Sequence, residues 1–216
     1  MYTPPAYAEN DTARLHAFMR AHSFATLVTR GRGGLNATHL PFLLDDGASP
    51  HGRLTTHLAR ANPQLQDLRE GAPVLVLFQG PHAFVSPSWY ANQATFPTWN
   101  YTAVHARGRA TLLEDPQDVH AVLRATVACY DQPLGGSWDF AASPAALVAL
   151  RLRAIVALHI PIAQLEGKMK LSQDKSVADR RGVVAALQAS AVPESLAVAR
   201  LIRAQPDMAA AFEEGA

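Results

Sequence analysis

The sequence has few of the features that define disulfide-bonded, secreted or membrane proteins. Cys129 is the single cysteine, so no disulfide can form within the chain, as is typical of a reducing compartment. No stretch approaches the roughly 18 apolar residues of a membrane-spanning helix. The N-terminus carries acidic residues in place of the apolar run of a signal peptide. We therefore expect a cytoplasmic protein that does not span a membrane.

Common motifs of catalysis and nucleotide binding are also missing. The nine histidines show no HxH or HExxH spacing, and one cysteine cannot build a zinc site, so no metal site is predicted. There is no Walker A loop, no GxGxxG and no GxSxG. The net charge of +1 gives no general attraction to nucleic acid or anionic membranes. A functional site must therefore lie in local clusters of polar residues.

Lysine is scarce, and its distribution is uneven. All three lysines lie in the window GKMKLSQDKS (167–176), and every other residue of the Lys+Arg set is an arginine. Lys168 and Lys170 are two residues apart on a predicted extended segment. Ser172 and Gln173 follow, so ammonium, hydroxyl and amide groups together suit a phosphate or an anionic ring edge. An exposed charged loop is the alternative, but the choice of a compact ammonium in an Arg-rich chain favours a confined anion site.

The order of apolar segments predicts a mainly β fold with peripheral helices, of the α+β class. Six or seven strands without strict βαβ alternation favour an antiparallel barrel over a doubly wound sheet. Strands are predicted near residues 24–29, 35–44, 53–59, 73–80, 82–87, 98–113 and 154–161. Helices are predicted near residues 11–22, 63–70, 116–130 and 144–151, and over a tail, 177–212, that breaks at Pro193 and Pro206.

Two strand segments contain candidate ligand-binding residues. Thr38 and His39 are adjacent on a strand and so point to opposite faces, one toward the core or a partner subunit and the other toward a ligand. A histidine packed in the core is the alternative. In TTHLARANPQ (55–64) a strand ends and a helix begins, and a helix N-terminus attracts anions. The polar residues of this segment include Thr56, His57, Arg60 and Asn62.

Each residue of this second segment has its own interpretation. Arg60 can offer a bidentate fork to a phosphate. Asn62 has the alternative role of capping the helix.

Aromatic residues between Pro-rich turns, among them Trp89 and Trp99, can line a planar ligand or pack in the core or at a dimer interface.

Seven segments occur in an order known from one family: MYTPPAY, FATLVT, ATHLPFLLD, HLARANPQ, FQGPHAFVSPSWY, PTWNYTAVHARG and KMKLSQDKS. Over about residues 1–182 the chain resembles the PaiB family of FMN-binding negative transcriptional regulators. The resemblance implies a split β-barrel of the pyridoxamine-phosphate-oxidase-like type, in a homodimer with two FMN sites at the subunit interface. It divides the chain into an FMN-binding split-barrel domain, 1–182, and a helical C-terminal appendage, 183–216.

The same resemblance implies cofactor-binding roles for twelve residues. Thr38 and His39 would lie beside the flavin, and Asn100 and Tyr101 on a strand that reaches across from the other subunit. The segment with Lys168, Lys170, Ser172 and Gln173 would close the site. The phosphate and ribityl chain would lie near Thr56, His57, Arg60 and Asn62. Because Arg60 is the only cation of that cradle, the resemblance raises the question whether Lys168 or Lys170 supplies the remaining charge.

Three functions stay open. The first is an FMN-binding regulator of transcription, and the second is an FMN-dependent oxidoreductase acting on a small molecule. The third is a flavin-free ligand-binding or dimeric interaction module. Direct DNA binding has weak support, because the last part of the tail offers only Arg200 and Arg203 as the basic residues of a reading helix.

Overall fold

A computed structural model of the chain describes residues 1–213 and contains a nine-stranded sheet. The strands are β1 (Ala8–Glu9), β2 (Phe24–Gly31), β3 (Gly34–Pro41), β4 (Leu43–Asp45), β5 (Arg53–Ala59), β6 (Pro73–Val85), β7 (Thr98–Arg109), β8 (Thr111–Leu113) and β9 (Ile155–Lys170). They are hydrogen-bonded in the order β3-β2-β6-β7-β9-β5-β4, and β1 and β8 also pair with β9. The pairs β1–β9, β2–β3, β2–β6, β4–β5, β5–β9 and β8–β9 are antiparallel.

Helices occur before, between and after these strands along the chain, in agreement with the predicted mainly β fold with additional helices. They are α1 (Thr12–Ala21), α2 (Gln64–Arg69), α3 (Pro116–Tyr130), α4 (Ala145–Arg153), α5 (Val177–Ala189), α6 (Pro193–Arg203) and α7 (Pro206–Glu213). Asp115 caps α3 by accepting a hydrogen bond from the Gln117 N–H. Pro193 and Pro206 each open a new helix, because proline is tolerated in a first turn but not in a helix interior. The predicted breaks in the tail are confirmed.

Four predicted strand regions differ from the structure. The strand predicted near 35–44 is divided at Phe42 into β3 and β4. The two strands predicted near 73–80 and 82–87 are one strand, β6, which continues through Pro81. Only alternate residues of its first half are buried, so the prediction of burial on both faces was wrong. The strand predicted near 98–113 is interrupted at Ala110, and β9 continues well past Pro161 to Lys170. Glycine and proline residues predicted strand ends, but β6 continues through Pro81 and β9 continues through Pro161.

The chain forms two compact units. We call residues 12–78 and 105–165 the hairpin unit, after the β2–β3 hairpin. We call residues 1–11, 79–104 and those from Glu166 onward the lysine unit, because it holds all three lysines. Within residues 1–213, no helix has the length and apolar character needed to cross a bilayer.

The hairpin unit is built on the β2–β3 pair. Leu27 on β2, Leu54 and Leu58 on β5, and Val76 on β6 are at most 2% exposed. Helix α2 packs on this sheet partly through polar groups: the buried Gln64 amide donates to the Leu27 carbonyl at 3.1 Å. On α3, Val119 and Val122 pack with Ala157 of β9 in a separate cluster. These contacts hold α2 against β2 and α3 against β9.

The lysine unit has one core that combines strand and tail residues. Val85 of β6 and Leu171, next after β9, pack with apolar residues of α5 and α6, including Val183, Val198 and Ile202. The predicted boundary after residue 182 lies inside α5. The division into a barrel domain and a helical appendage stays a prediction.

Candidate functional site

In the hairpin unit, Asn62 joins the start of α2 to the hairpin. Its Oδ1 accepts a hydrogen bond from the Gln64 N–H at 2.9 Å, which is the capping role that the sequence allowed. Its Nδ2 donates to Thr38 Oγ1 at 3.0 Å. Asn62 and Thr38, both predicted flavin contacts, therefore lie together, and their contact contributes to the packing of α2.

Arg60 is extensively bonded within the hairpin unit. Its Nη1 donates to Glu114 Oε2 at 3.1 Å, its Nε to the Arg153 carbonyl at 3.1 Å, and its Nη2 to the Ile155 carbonyl at 3.4 Å. The register of β5 on β9, with Ala59 opposite Ile155, places Arg60 beside these carbonyls. Hydrogen bonds from Arg69 and Arg60 lower the pKa of Glu114, so its carboxylate stays charged. The charge of Arg60 is therefore partly compensated, by a carboxylate that Arg60 shares with Arg69.

Of the other three predicted residues of this unit, Thr56 and His39 form hydrogen bonds, whereas His57 Nδ1 is buried without a hydrogen-bond partner in the described residues. Thr56 is buried and donates to the Pro41 carbonyl at 2.6 Å. His39 is exposed, and its Nδ1 shares a hydrogen bond with Thr26 Oγ1 at 2.9 Å. Burial lowers the pKa of His57, so its imidazole is neutral at pH 7. His57 therefore adds no positive charge beside Arg60.

Lys168 lies on β9 in the lysine unit and is 7% exposed. Its Nζ donates to the Tyr2 carbonyl at 3.1 Å and lies 5.0 Å from the centre of the Tyr101 ring and 5.6 Å from that of Tyr2. Ring faces attract a cation without neutralising it. The aromatic surroundings thus hold a charged ammonium in a largely buried position.

Lys170 ends β9 and is partly buried. Its Nζ donates to Thr98 Oγ1, a neutral group. Among the ion pairs formed within residues 1–213, none involves Lys168 or Lys170, whereas Lys175 Nζ pairs with Asp174 Oδ2 at 3.0 Å. Two of the three lysines therefore carry positive charge that no carboxylate compensates.

Asn100 and Ser172 form the most buried contact of the candidate residues. Asn100 is fully buried, and its Nδ2 donates to Ser172 Oγ at 2.8 Å. In the described part of the chain, Asn100 Oδ1 has no hydrogen-bond partner. Ser172 has φ 63°, a left-handed conformation that costs a residue with a Cβ about 1–2 kcal/mol. An unsatisfied buried oxygen next to a strained residue is typical of a binding site.

Gln173 organises the backbone beside Ser172. Its Oε1 accepts from the Leu171 N–H at 2.7 Å, and its Nε2 donates to the Met169 carbonyl. The lysine unit thus contains six predicted residues, and two pairs of them are in contact: Asn100 with Ser172, and Tyr101 with Lys168. Lys170 and Gln173 are bonded to other residues of the unit.

Sequence reasoning missed Thr98 and Tyr2, the partners of the two lysines. Thr98 lies two residues before Asn100, so strand alternation would have placed both on one face. Tyr2 had no such signal, because its contact with Lys168 joins residues 166 positions apart. Of the tryptophans, Trp89 packs against the core of the lysine unit, as the core alternative predicts. Trp99 is 53% exposed.

A separate cavity in the hairpin unit contains none of the predicted residues. It has a volume of about 570 Å³ beside α3 and α4 and is lined by His120, Arg124 and Phe140 among others. No group of three His, Cys, Asp or Glu side chains within residues 1–213 is arranged to hold a metal ion. Among the candidate residues, Lys168 and Lys170 remain the groups best suited to bind an anion.

Two sequence comparisons decide the family. Residues 1–164 match the family described as "Putative FMN-binding domain". A relative from Bacillus subtilis, "Protease synthase and sporulation protein PAI 2", is 34% identical over 205 residues, which cover 94% of this chain and 96% of the relative. The chain belongs to the PaiB family of FMN-binding domains. The match to the Bacillus relative is long enough to include the lysine window, which lies beyond residue 164.

Two solved structures support the fold. The flavocytochrome Anf3 from Azotobacter vinelandii superposes with a TM-score of 0.60 at 20% identity, covering 76% of this chain and 69% of that one. An FAD and heme binding protein from Mycobacterium smegmatis gives a TM-score of 0.59 at 18% identity, covering 76% and 73% of the two chains. The predicted class, a mainly β split barrel with peripheral helices, is confirmed.

FMN is the cofactor of this family, and the residues of the lysine unit fit it. FMN carries an anionic phosphate, hydroxyl groups and a planar ring with a polar edge. Considering residues 1–213, the unit offers two ammonium groups without carboxylate partners, the Ser172 hydroxyl, which accepts from Asn100, and an Asn100 carbonyl oxygen without a hydrogen-bond partner. This set supplies both cationic donors and a neutral acceptor, as binding of such a molecule requires.

Proposed function

We propose that this protein is an FMN-binding protein of the PaiB type in which Lys170 supplies the main positive charge for the cofactor. One observation carries the proposal: the Lys170 ammonium is partly buried and bonded to a neutral hydroxyl, without a compensating carboxylate in residues 1–213. An anion that reaches it gains a charge-assisted hydrogen bond without having to displace an ion pair.

The neighbouring residues have distinct roles in this proposal. Lys168, held between two tyrosine rings, adds a second positive charge, and Tyr101 keeps that charge in place. Asn100 Oδ1 accepts a hydrogen bond from the cofactor, and Ser172 and Gln173 fix the turn that follows β9. Bound FMN supplies redox chemistry, and the protein supplies orientation and electrostatics. The hairpin-unit residues stay predicted flavin contacts: Thr38, His39, Thr56, His57, Arg60 and Asn62.

Titration of the purified protein with FMN tests the proposal. We expect saturable binding with a shifted flavin absorbance band and quenched flavin fluorescence. A Lys170→Met variant should bind more weakly at equal fold content by circular dichroism. A colourless wild-type protein that also fails to take up added FMN would contradict the proposed function.

A role as a negative transcriptional regulator is the second part of the proposal. It is supported by the 34% identity to the Bacillus protein named for protease synthase and sporulation. The exposed basic residues of α6 are limited to Arg200 and Arg203, so we expect any effect on transcription to be indirect. A salt-sensitive, sequence-specific shift of promoter DNA would instead show direct repression. NAD(P)H-driven flavin bleaching would favour the alternative of an oxidoreductase.

We also propose that the protein is a cytoplasmic homodimer. The exposed side chains of Phe24 and Leu35, 71% and 76% exposed, on strands β2 and β3, support an apolar subunit contact. Strand β3 lies at one end of the strand order, which is where an unpaired edge needs protection. Sedimentation velocity should give the mass of a dimer, and a Phe24→Glu variant should sediment as a monomer. A wild-type monomer at micromolar concentration would contradict this proposal.

A further inference from the structure

A glutamine of the helical tail holds the backbone between Lys170 and Ser172. Gln205 lies between α6 and α7, and its Nε2 donates to the Leu171 carbonyl at 3.0 Å. The Leu171 N–H is bonded to Gln173 Oε1 at 2.7 Å. Both backbone polar groups of Leu171 are therefore fixed by glutamine side chains, one local and one from the tail.

Arg180 of α5 sets the orientation of Gln205. Arg180 is 4% exposed, and its Nη1 donates to Gln205 Oε1 at 3.0 Å and to Asp207 Oδ1 at 3.1 Å. Its Nη2 also pairs with Asp207. Because an amide oxygen can only accept, this contact turns the amide nitrogen of Gln205 toward Leu171. We call Arg180, Gln205 and Asp207 the tail relay.

The turn that the tail relay holds needs external support. Ser172 has a positive φ, which residues other than glycine adopt only where their surroundings impose it. Asn100 bonds the Ser172 side chain, and Gln205 bonds the carbonyl that precedes Ser172. Loss of Gln205 leaves the backbone of this turn held by local hydrogen bonds alone, from the Leu171 N–H to Gln173 Oε1 and from the Lys175 N–H to the Ser172 carbonyl.

We propose that Gln205, oriented by Arg180, is a positioning residue of the FMN site. It keeps Lys170 and Ser172 in place without contacting the flavin. This inference rests on the proposed function of the lysine unit. It assigns the helical tail, which follows the 1–164 match to the FMN-binding family, a part in cofactor binding.

The matched pair Gln205→Met and Gln188→Met tests the positioning role in the full-length protein. Both changes replace a glutamine by an isosteric apolar residue, but Gln188 is exposed on α5. We expect Gln205→Met to weaken FMN binding by about 2- to 10-fold, the equivalent of one hydrogen bond. Gln188→Met should bind like the wild type. In the FMN-free protein, amide hydrogen exchange over residues 168–176 should be faster in Gln205→Met alone.

Two further variants separate positioning from general loss of stability. Gln205→Glu keeps an acceptor for Arg180 but loses the donor to Leu171, so it should resemble Gln205→Met. Val198→Ala removes buried volume from the same core and lowers the melting temperature without touching the tail relay. At a temperature well below the melting temperatures of all the variants, Val198→Ala should bind FMN with the same affinity as the wild type.

Equal weakening by Val198→Ala and Gln205→Met would overturn the inference, as would unchanged affinity and exchange in Gln205→Met. If the wild type binds no FMN, the proposed function fails. Exchange over residues 168–176 then still shows whether Gln205 holds the turn.

Discussion

Two segments of this protein, residues 55–64 and 167–176, have similar chemistry in the sequence and different chemistry in the structure. Both place basic and polar residues at the end of a strand. In the first, Arg60 is bonded to Glu114 and to two backbone carbonyls, and His57 is neutral at pH 7 because burial lowers its pKa. In the second, Lys170 is bonded to a hydroxyl. The comparison shows that similar residue patterns do not predict which basic side chains the fold pairs with a carboxylate.

The largest expected effect comes from removing the uncompensated charge. Lys170→Met should weaken FMN binding by about 10- to 100-fold, because a hydrogen bond to a charged group contributes about 1.5–3 kcal/mol. Fluorescence titration measures it. Lys175→Met is the matched control, since Lys175 is paired with Asp174 at 3.0 Å and should change the affinity by less than about threefold. Similar effects of the two variants would contradict the assignment of the free charge to Lys170.

A smaller effect is expected at Arg60. Arg60→Ala should weaken FMN binding less than tenfold, because the guanidinium that it removes is already paired with Glu114. Arg69→Ala removes the other partner of the same carboxylate. Both variants should lower the free energy of unfolding by less than about 1 kcal/mol in urea titrations, as for exposed ion pairs. If Arg60→Ala lost as much FMN affinity as Lys170→Met, the phosphate would lie at the first segment, as the sequence alone predicted.

The sequence predicted the elements of both segments better than their contacts. Residues 53–59 form β5 as predicted, because β-branched residues and a following proline are local signals. Lys168 and Lys170 lie on an extended strand, also as predicted. The pairing of Arg60 with Glu114 joins residues 54 positions apart and depends on the register of β5 against β9.

The positive φ of Ser172 was likewise not predictable. Serine carries no local preference for the left-handed conformation, and only the surrounding contacts impose it. Local signals thus predicted the strands and helices that contain the candidate site. Long-range contacts decide which of its charged side chains form ion pairs.

The smallest expected effect concerns His57 and the acid side of the stability curve. Burial lowers the pKa of His57 below its ordinary value of 6.5, so below pH 6.5 the unfolded chain takes up a proton that the folded protein resists. The free energy of unfolding therefore falls as the pH drops from neutral through 6.5 toward the lower, folded-state pKa, and His57 makes no contribution to the slope well above pH 7.

The variant His57→Gln should reduce that slope, measured by urea unfolding at several pH values, by less than the equivalent of one proton. His22 and His159, whose pKa values burial also lowers, keep the rest of it. An unaltered slope in His57→Gln would mean that this imidazole titrates as in the unfolded chain. The first segment would then gain a positive charge on acidification, and its difference from the lysine segment would shrink below pH 6.5.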